Sequence, residues 1–134
     1  MKITHVICQI LRVQSVQQKT ASCQDVVLVR IRTDDGLEGI GEADASPEVV
    51  KAIIDAPFSH NIACGLRQLL LGENPLEHER LWQKLFRRTM YFGRTSVTIC
   101  AMSACCAARS AAVAGDRYPA NPPPTHVGHR LVRS

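Results

Sequence analysis

The sequence predicts an α+β fold: a three-stranded antiparallel meander, then a bundle of three to four helices, then a disordered C-terminal tail. Three observations carry this expectation. The first 43 residues are rich in β-branched and aliphatic side chains and are broken by a polar stretch and by Asp34-Asp35-Gly36. After Ser46-Pro47 the apolar residues recur at helical spacing. From Gly115 onward, Pro119, Pro122, Pro123 and Pro124 punctuate a stretch with no hydrophobic periodicity. Such a stretch buries too little apolar surface to offset the entropy of ordering it.

Taken in order, residues 2–14 form the first predicted strand, with Ile3, Val6, Ile7, Ile10 and Val13 supplying β-propensity. Ser15 to Gln24 is polar and reads as a loop. Gln24–Thr33 is nearly continuous in Val, Leu and Ile, which points to a central, well-buried strand. Asp35-Gly36 predicts a tight primed turn, because such turns require positive φ and glycine accepts it readily. Leu37–Ala43 is the third strand. Gly39 and Gly41 inside it predict a bulge or the close approach of another backbone.

Ser46-Pro47-Glu48 reads as a helix start, with Ser46 as N-cap and Pro47 in the first helical position; Pro57 ends that helix. Ser59–Leu71 is a second helical segment closed by Gly72. Asn74-Pro75-Leu76-Glu77 opens a third with a variant capping box, and Leu81, Trp82, Leu85 and Phe86 line one face of it. Thr95 to about Ala108 is a fourth helix rich in Ala and Ser.

With 134 residues there is room for one modest core, and an aromatic content of 4% makes it a core of Val, Ile, Leu and Ala. The runs Val26–Val29 and Leu69–Leu71 are far shorter than the ~20 residues of a membrane span, and the N-terminus lacks an apolar signal region. The expectation is a cytoplasmic chain without a membrane partner. Six cysteines show no Cys-x-x-Cys pair, which argues against a zinc site and for small buried hydrophobes. Residues 1–104 carry 12 Lys+Arg and 11 Asp+Glu, whereas residues 105–134 carry four Arg and one Asp. The net charge of +4 therefore sits largely in the tail, and no nucleic-acid partner is expected.

No residue set predicts an active site. The histidines His5, His60, His78, His126 and His129 lack metal-ligand spacing, and no metal site is expected. Gly39-Ile40-Gly41-Glu42-Ala43 lacks the third glycine of a dinucleotide fingerprint and the Gly-Lys-Ser/Thr of a P-loop. Glu42 is a lone carboxylate without an evident partner. Arg87, Arg88 and Arg94 read as surface charge as readily as an anion site.

One resemblance goes further than these readings. The first strand Met1-Lys2-Ile3-Thr4 is followed by Val27-Leu28-Val29-Arg30-Ile31 and Thr33-Asp34-Asp35-Gly36-Leu37, then Gly39-Ile40-Gly41-Glu42-Ala43. Leu71-Gly72-Glu73-Asn74-Pro75-Leu76, Glu79-Arg80-Leu81-Trp82, Tyr91-Phe92-Gly93-Arg94 and Ala101-Met102-Ser103-Ala104 come after it in order. Over residues 1–104 the chain resembles the N-terminal capping domain of the mandelate racemase/muconate lactonizing enzyme family, in the enolase superfamily. The resemblance implies a cap that packs on a modified TIM barrel. That barrel holds Mg²⁺ on three carboxylates, and its Lys or His bases abstract the proton α to a substrate carboxylate. It also implies two capping loops that close over the substrate. By position these carry Gln18, Thr20 and Ser22 in the first and Asp44 and Ser46 in the second.

After Ala104 the resemblance stops. Cys105-Cys106-Ala107-Ala108-Arg109-Ser110 and the Arg/Ala/Pro-rich residues up to 134 have the composition of an out-of-frame reading of a GC-rich gene. The expected organisation is thus a capping domain over 1–104 and an unrelated tail over 105–134. The resemblance would make the chain a truncated specificity cap of a racemase or dehydratase acting on an acid-sugar or hydroxy-acid substrate. It would have no catalytic residue, cofactor or metal ligand of its own. The small carboxylate would be a partner only in a full-length context. Two alternatives stand beside it. One is a non-enzymatic module that self-associates or binds a partner through the face turned towards the barrel; the other is a small enzyme using Glu42 or Arg94.

Overall fold

The computed structural model describes residues 1–14, 24–60, 62–114 and 132–133. The meander is present: β1 (Ile3–Arg12), β2 (Asp25–Thr33) and β3 (Glu38–Ala43) pair antiparallel, with β2 in the centre. Alternation along β2 puts Val27, Val29, Ile31 and Thr33 on the buried face. Its neighbours contribute Ile3, Val6, Cys8 and Ile10 from β1 and Ala43 from β3. Against this face lie α1 (Pro47–Asp55), α2 (Leu66–Leu70) and α4 (Val97–Ala114), while α3 (His78–Arg88) packs on α2 and α4 and is followed by a 3₁₀ turn at Met90–Phe92. The core closes with Val50 and Ile54, Leu66 and Leu70, Leu81 and Leu85, and Met102.

The β2–β3 turn differs from the predicted primed type. Thr33 N–H donates to the Leu37 carbonyl at 3.0 Å and Gly36 N–H to the Thr33 carbonyl at 3.1 Å. Within it only Gly36, at φ +79°, is left-handed. This is the three-residue hairpin loop, a type I turn followed by a left-handed bulge residue. The extra residue lets Thr33 Oγ1 accept from Leu37 N–H at 3.3 Å.

The helix boundaries shift for identifiable reasons. The predicted Ser59–Leu71 helix shrinks to Leu66–Leu70, because Ser59, His60 and Ala63 form a bridged turn. Gly65 N–H then donates to the Ala56 carbonyl at 3.1 Å, and a Cβ at Gly65 would stand 2.4 Å from that oxygen. The third helix begins at His78 instead of after Asn74. Asn74 Oδ1 accepts from Leu76 N–H at 3.1 Å, a side-chain turn that competes with helix. Glu77 pairs with Arg80 instead of reaching back to an N-cap. Ser46 holds the N-cap position of α1 as expected, but its hydroxyl makes no capping hydrogen bond; Pro47 follows it at the first helical position.

The largest correction concerns α4. It runs on to Ala114, past the predicted end near Ala108, and the expected domain boundary after Ala104 falls in its middle. Cys105, Ala108, Arg109 and Ala112, placed in the expected unrelated tail, are buried. The reason is contact with β3. A Cβ on Gly41 would lie 2.2 Å from the Ala104 carbonyl oxygen, and one on Gly39 would lie 2.0 Å from that of Ala108. The glycines thus admit the helix backbone directly onto the strand, as a glycine inside a strand permits. By length and composition α4 is apolar enough to cross a membrane. Here its small residues instead form the seam with the sheet. Arg109 Nη1 donates to the Pro75 carbonyl at 3.0 Å, fastening the far part of α4 to the turn before α3.

Val132–Arg133 forms a two-residue strand, β4, on the outer edge of β1, opposite Leu11 and Arg12. Those two residues therefore depart from the predicted disorder. An unpaired strand edge offers N–H and C=O groups to any extended segment that reaches it. The rest of the predicted disordered tail lies outside the described residues.

Candidate functional site

The strand register brings the two predicted loops to one end of the sheet. Arg12 pairs with Asp25 at the mouth of the β1–β2 connection, and Val27 pairs with Ala43 at the exit from β3. Val13 N–H donates to the Gln24 carbonyl at 3.0 Å and extends the ladder one step into that mouth. Gln18, Thr20 and Ser22 lie outside the described residues. Asp44 and Ser46 sit between β3 and α1, both exposed, as is Glu42 at the end of β3.

One group at this end was missed in the sequence. Arg12 donates from Nε and Nη2 to Asp25 Oδ2 at 3.3 and 3.2 Å, and from Nη2 to Glu48 Oε1. That hydrogen bond with Arg12 holds the Glu48 carboxyl below its ordinary range. Residues 36 apart carry no local sequence signal of such a pairing.

The other candidates do not converge. Arg94, between the 3₁₀ turn and α4, lies over the Phe86 ring at 4.8 Å, a cation–π contact, whereas Glu42 is on β3. On α3, Arg80 and Lys84 are already paired with Glu73. The groove they line with Gln83, Arg87 and Arg88 is a solvated charged face. The magnesium implied by the resemblance finds no seat: among the described residues no three His, Cys, Asp or Glu side chains are placed to hold a metal. The thiols of Cys8, Cys64, Cys105 and Cys106 are not activated nucleophiles either. Burial, with Asp55 adding to it, pushes Cys8 up to about 11, and burial likewise raises Cys64, Cys105 and Cys106.

The Cys8 shift carries a pH dependence. Its folded pKa of about 11 exceeds the ordinary 9.0, so the unfolded chain releases this proton first as pH rises. The stability held below pH 9 should therefore fall between about pH 9 and 11, by on the order of 2 kcal/mol from this group. Urea titrations of the wild type and Cys8→Ala across that range measure it; parallel pH profiles for the two would refute it.

The fold is that of an accessory α+β cap: loops at one end of a meander, a helical layer behind it, and no assembled catalytic constellation among the described residues. A family model for the mandelate racemase / muconate lactonizing enzyme N-terminal domain matches residues 2–114. The chain belongs to that family, and the match runs to the end of α4. A D-galactonate dehydratase family member from Pseudarthrobacter chlorophenolicus is 34% identical over 85 residues, covering 63% of this chain and 19% of that protein. The 3,6-anhydro-D-galactonate cycloisomerase from Zobellia galactanivorans is 29% identical, with a TM-score of 0.64, over 81% of this chain and 27% of that one. A racemase from Streptomyces coelicolor A3(2), solved with bound magnesium, is 26% identical over 80% of this chain and 30% of that one, with a TM-score of 0.64. The chain thus spans less than a third of the length of each.

Proposed function

We propose that this domain is the specificity cap of a metal-dependent racemase, dehydratase or cycloisomerase that abstracts a proton α to a sugar-acid or hydroxy-acid carboxylate. The observation that carries the reading is the gathering of the β1–β2 mouth and the Asp44–Ser46 turn at one end of the sheet, on a domain of this family. A cap of this kind closes over a substrate and excludes water while the chemistry proceeds elsewhere. The metal ligands and bases would belong to a barrel, and the 134-residue chain by itself would turn nothing over. Any junction between family sequence and an unrelated tail would then lie after α4.

Exposed Phe58, Leu76, Met90 and Tyr91, with the Tyr91 ring tilted against that of His60 at 5.3 Å between centroids, supply apolar surface suited to such a barrel. Uncovered, the same surface favours self-association.

A domain exchange tests the proposal. Residues 2–114 replace the cap of the Streptomyces racemase, and kcat/KM is measured with Mg²⁺ over a panel of sugar and hydroxy acids. The expected result is retained magnesium-dependent turnover with the substrate ranking changed at least tenfold. A folded chimera with the parental ranking would overturn the specificity role. The isolated chain should show neither turnover nor a calorimetric signal with Mg²⁺; a stoichiometric signal would refute the assignment of the metal to the barrel.

A further inference from the structure

We infer that Arg12 is a positioning residue that couples the two loop bases: one guanidinium, forked between Asp25 on β2 and Glu48 on α1, holds the β1–β2 mouth and the Asp44–Ser46 turn in fixed relation.

The geometry is specific. Arg12 is the last residue of β1 and Asp25 the first of β2, directly opposite it, so their pair closes the mouth of the β1–β2 connection. Glu48 stands in the first turn of α1, two residues after Ser46, so its pair with Arg12 anchors the far side of the second loop. A guanidinium presents several N–H groups in a rigid plane and can serve two carboxylates at once; an ammonium acts as one point charge. Both pairs reach solvent, with side-chain exposures of 39% for Arg12, 27% for Asp25 and 62% for Glu48. The coupling is therefore weak and salt-sensitive. Each loop base also has a first backbone hydrogen bond of its own, beside the Lys51 Nζ donation to the Cys8 carbonyl at 3.0 Å that joins α1 to β1. The two backbone bonds are Val13 N–H to the Gln24 carbonyl and Val50 N–H to the Ser46 carbonyl, both 3.0 Å.

Those two amides supply the test, because each reports one loop base. Amide hydrogen exchange is measured residue by residue in the full 134-residue chain. Glu48→Gln disturbs α1 locally whatever Arg12 does, so its informative readout is Val13 on the other loop; for Asp25→Asn it is Val50. Each variant is expected to raise exchange at the opposite amide two- to fivefold, within the range an exposed pair supports. Arg12→Gln should raise both, Arg12→Lys should restore at most one, and 1 M NaCl should erase the differences. Thermal midpoints should stay near wild type, which separates coupling from general destabilisation. If Val13 is indifferent to Glu48→Gln, or Val50 to Asp25→Asn, Arg12 does not couple the loops. The meaning of this coupling for substrate rests on the capping role proposed above. Exchange is blind to activity, so failure here leaves that role standing, and failure of the domain exchange leaves the clasp standing.

Discussion

The variant Gly39→Ala/Gly41→Ala is expected not to fold. A methyl group at Gly39 would stand 2.0 Å from the Ala108 oxygen and 2.2 Å from the Ala112 nitrogen. At Gly41 it would stand 2.2 Å from the Ala104 oxygen and 2.7 Å from the Ala108 nitrogen. These are backbone atoms of a continuous helix, so no rotamer change relieves the overlap. The helix must lift off the strand, and that opens the seam from Ala104 to Ala112. Overpacking typically costs about 1–3 kcal/mol where side chains can adjust. Here each site should reach or exceed about 3 kcal/mol, and the pair approaches the ~5–15 kcal/mol that a domain has in total. Gly36→Ala is the contrast. An added Cβ there meets nothing within 4 Å, and only the left-handed φ of +79° opposes it, at about 1–2 kcal/mol. Circular dichroism and urea denaturation of the three proteins decide the matter. A cooperative double variant with a midpoint near wild type would mean that α4 does not lie on β3.

Truncation should divide sharply between Ala104 and Ala114. A chain ending at Ala104 loses Cys105, Ala108, Arg109 and Ala112 from the core, along with the donor to the Pro75 carbonyl. It strips the helix from Gly39, uncovering the apolar face of the sheet beneath it. The loss should amount to several kcal/mol, enough to unfold a single small domain. A chain ending at Ala114 keeps every one of these contacts and should melt within a few degrees of the full protein. Dispersed NMR amide signals report folding in each case. Equal stability of the two truncations would restore the boundary at Ala104 that composition suggests.

The two readings of residues 105–114 show where sequence is legible and where it is not. β1 to β3 could be read because strand alternation and β-branching are local properties, and the same holds for Pro47 at the start of α1. α4 was underestimated because Ala, Ser and Cys carry little amphipathic contrast, and a helix of small residues hides which face it buries. Ser59–Leu71 was overestimated because the spacing of Ile62, Leu66 and Leu70 is helical. The conflict comes from Gly65, which must meet the Ala56 carbonyl, a contact no window of neighbours reveals. Asp44 and Ser46 are candidates only through the family resemblance, and the Arg12–Glu48 tie at the same end joins residues too far apart to signal one another.

By itself, the sequence determined the meander, its central strand, the left-handed glycine of its turn and the family to which it belongs, because each is encoded in short-range pattern. At Gly39 and Gly41 it left open a bulge or the close approach of another backbone. Which backbone, and that it continues to Ala114, was decided only by tertiary structure. A glycine records that space is needed, whereas the helix that fills the space is chosen by the packing of the whole chain.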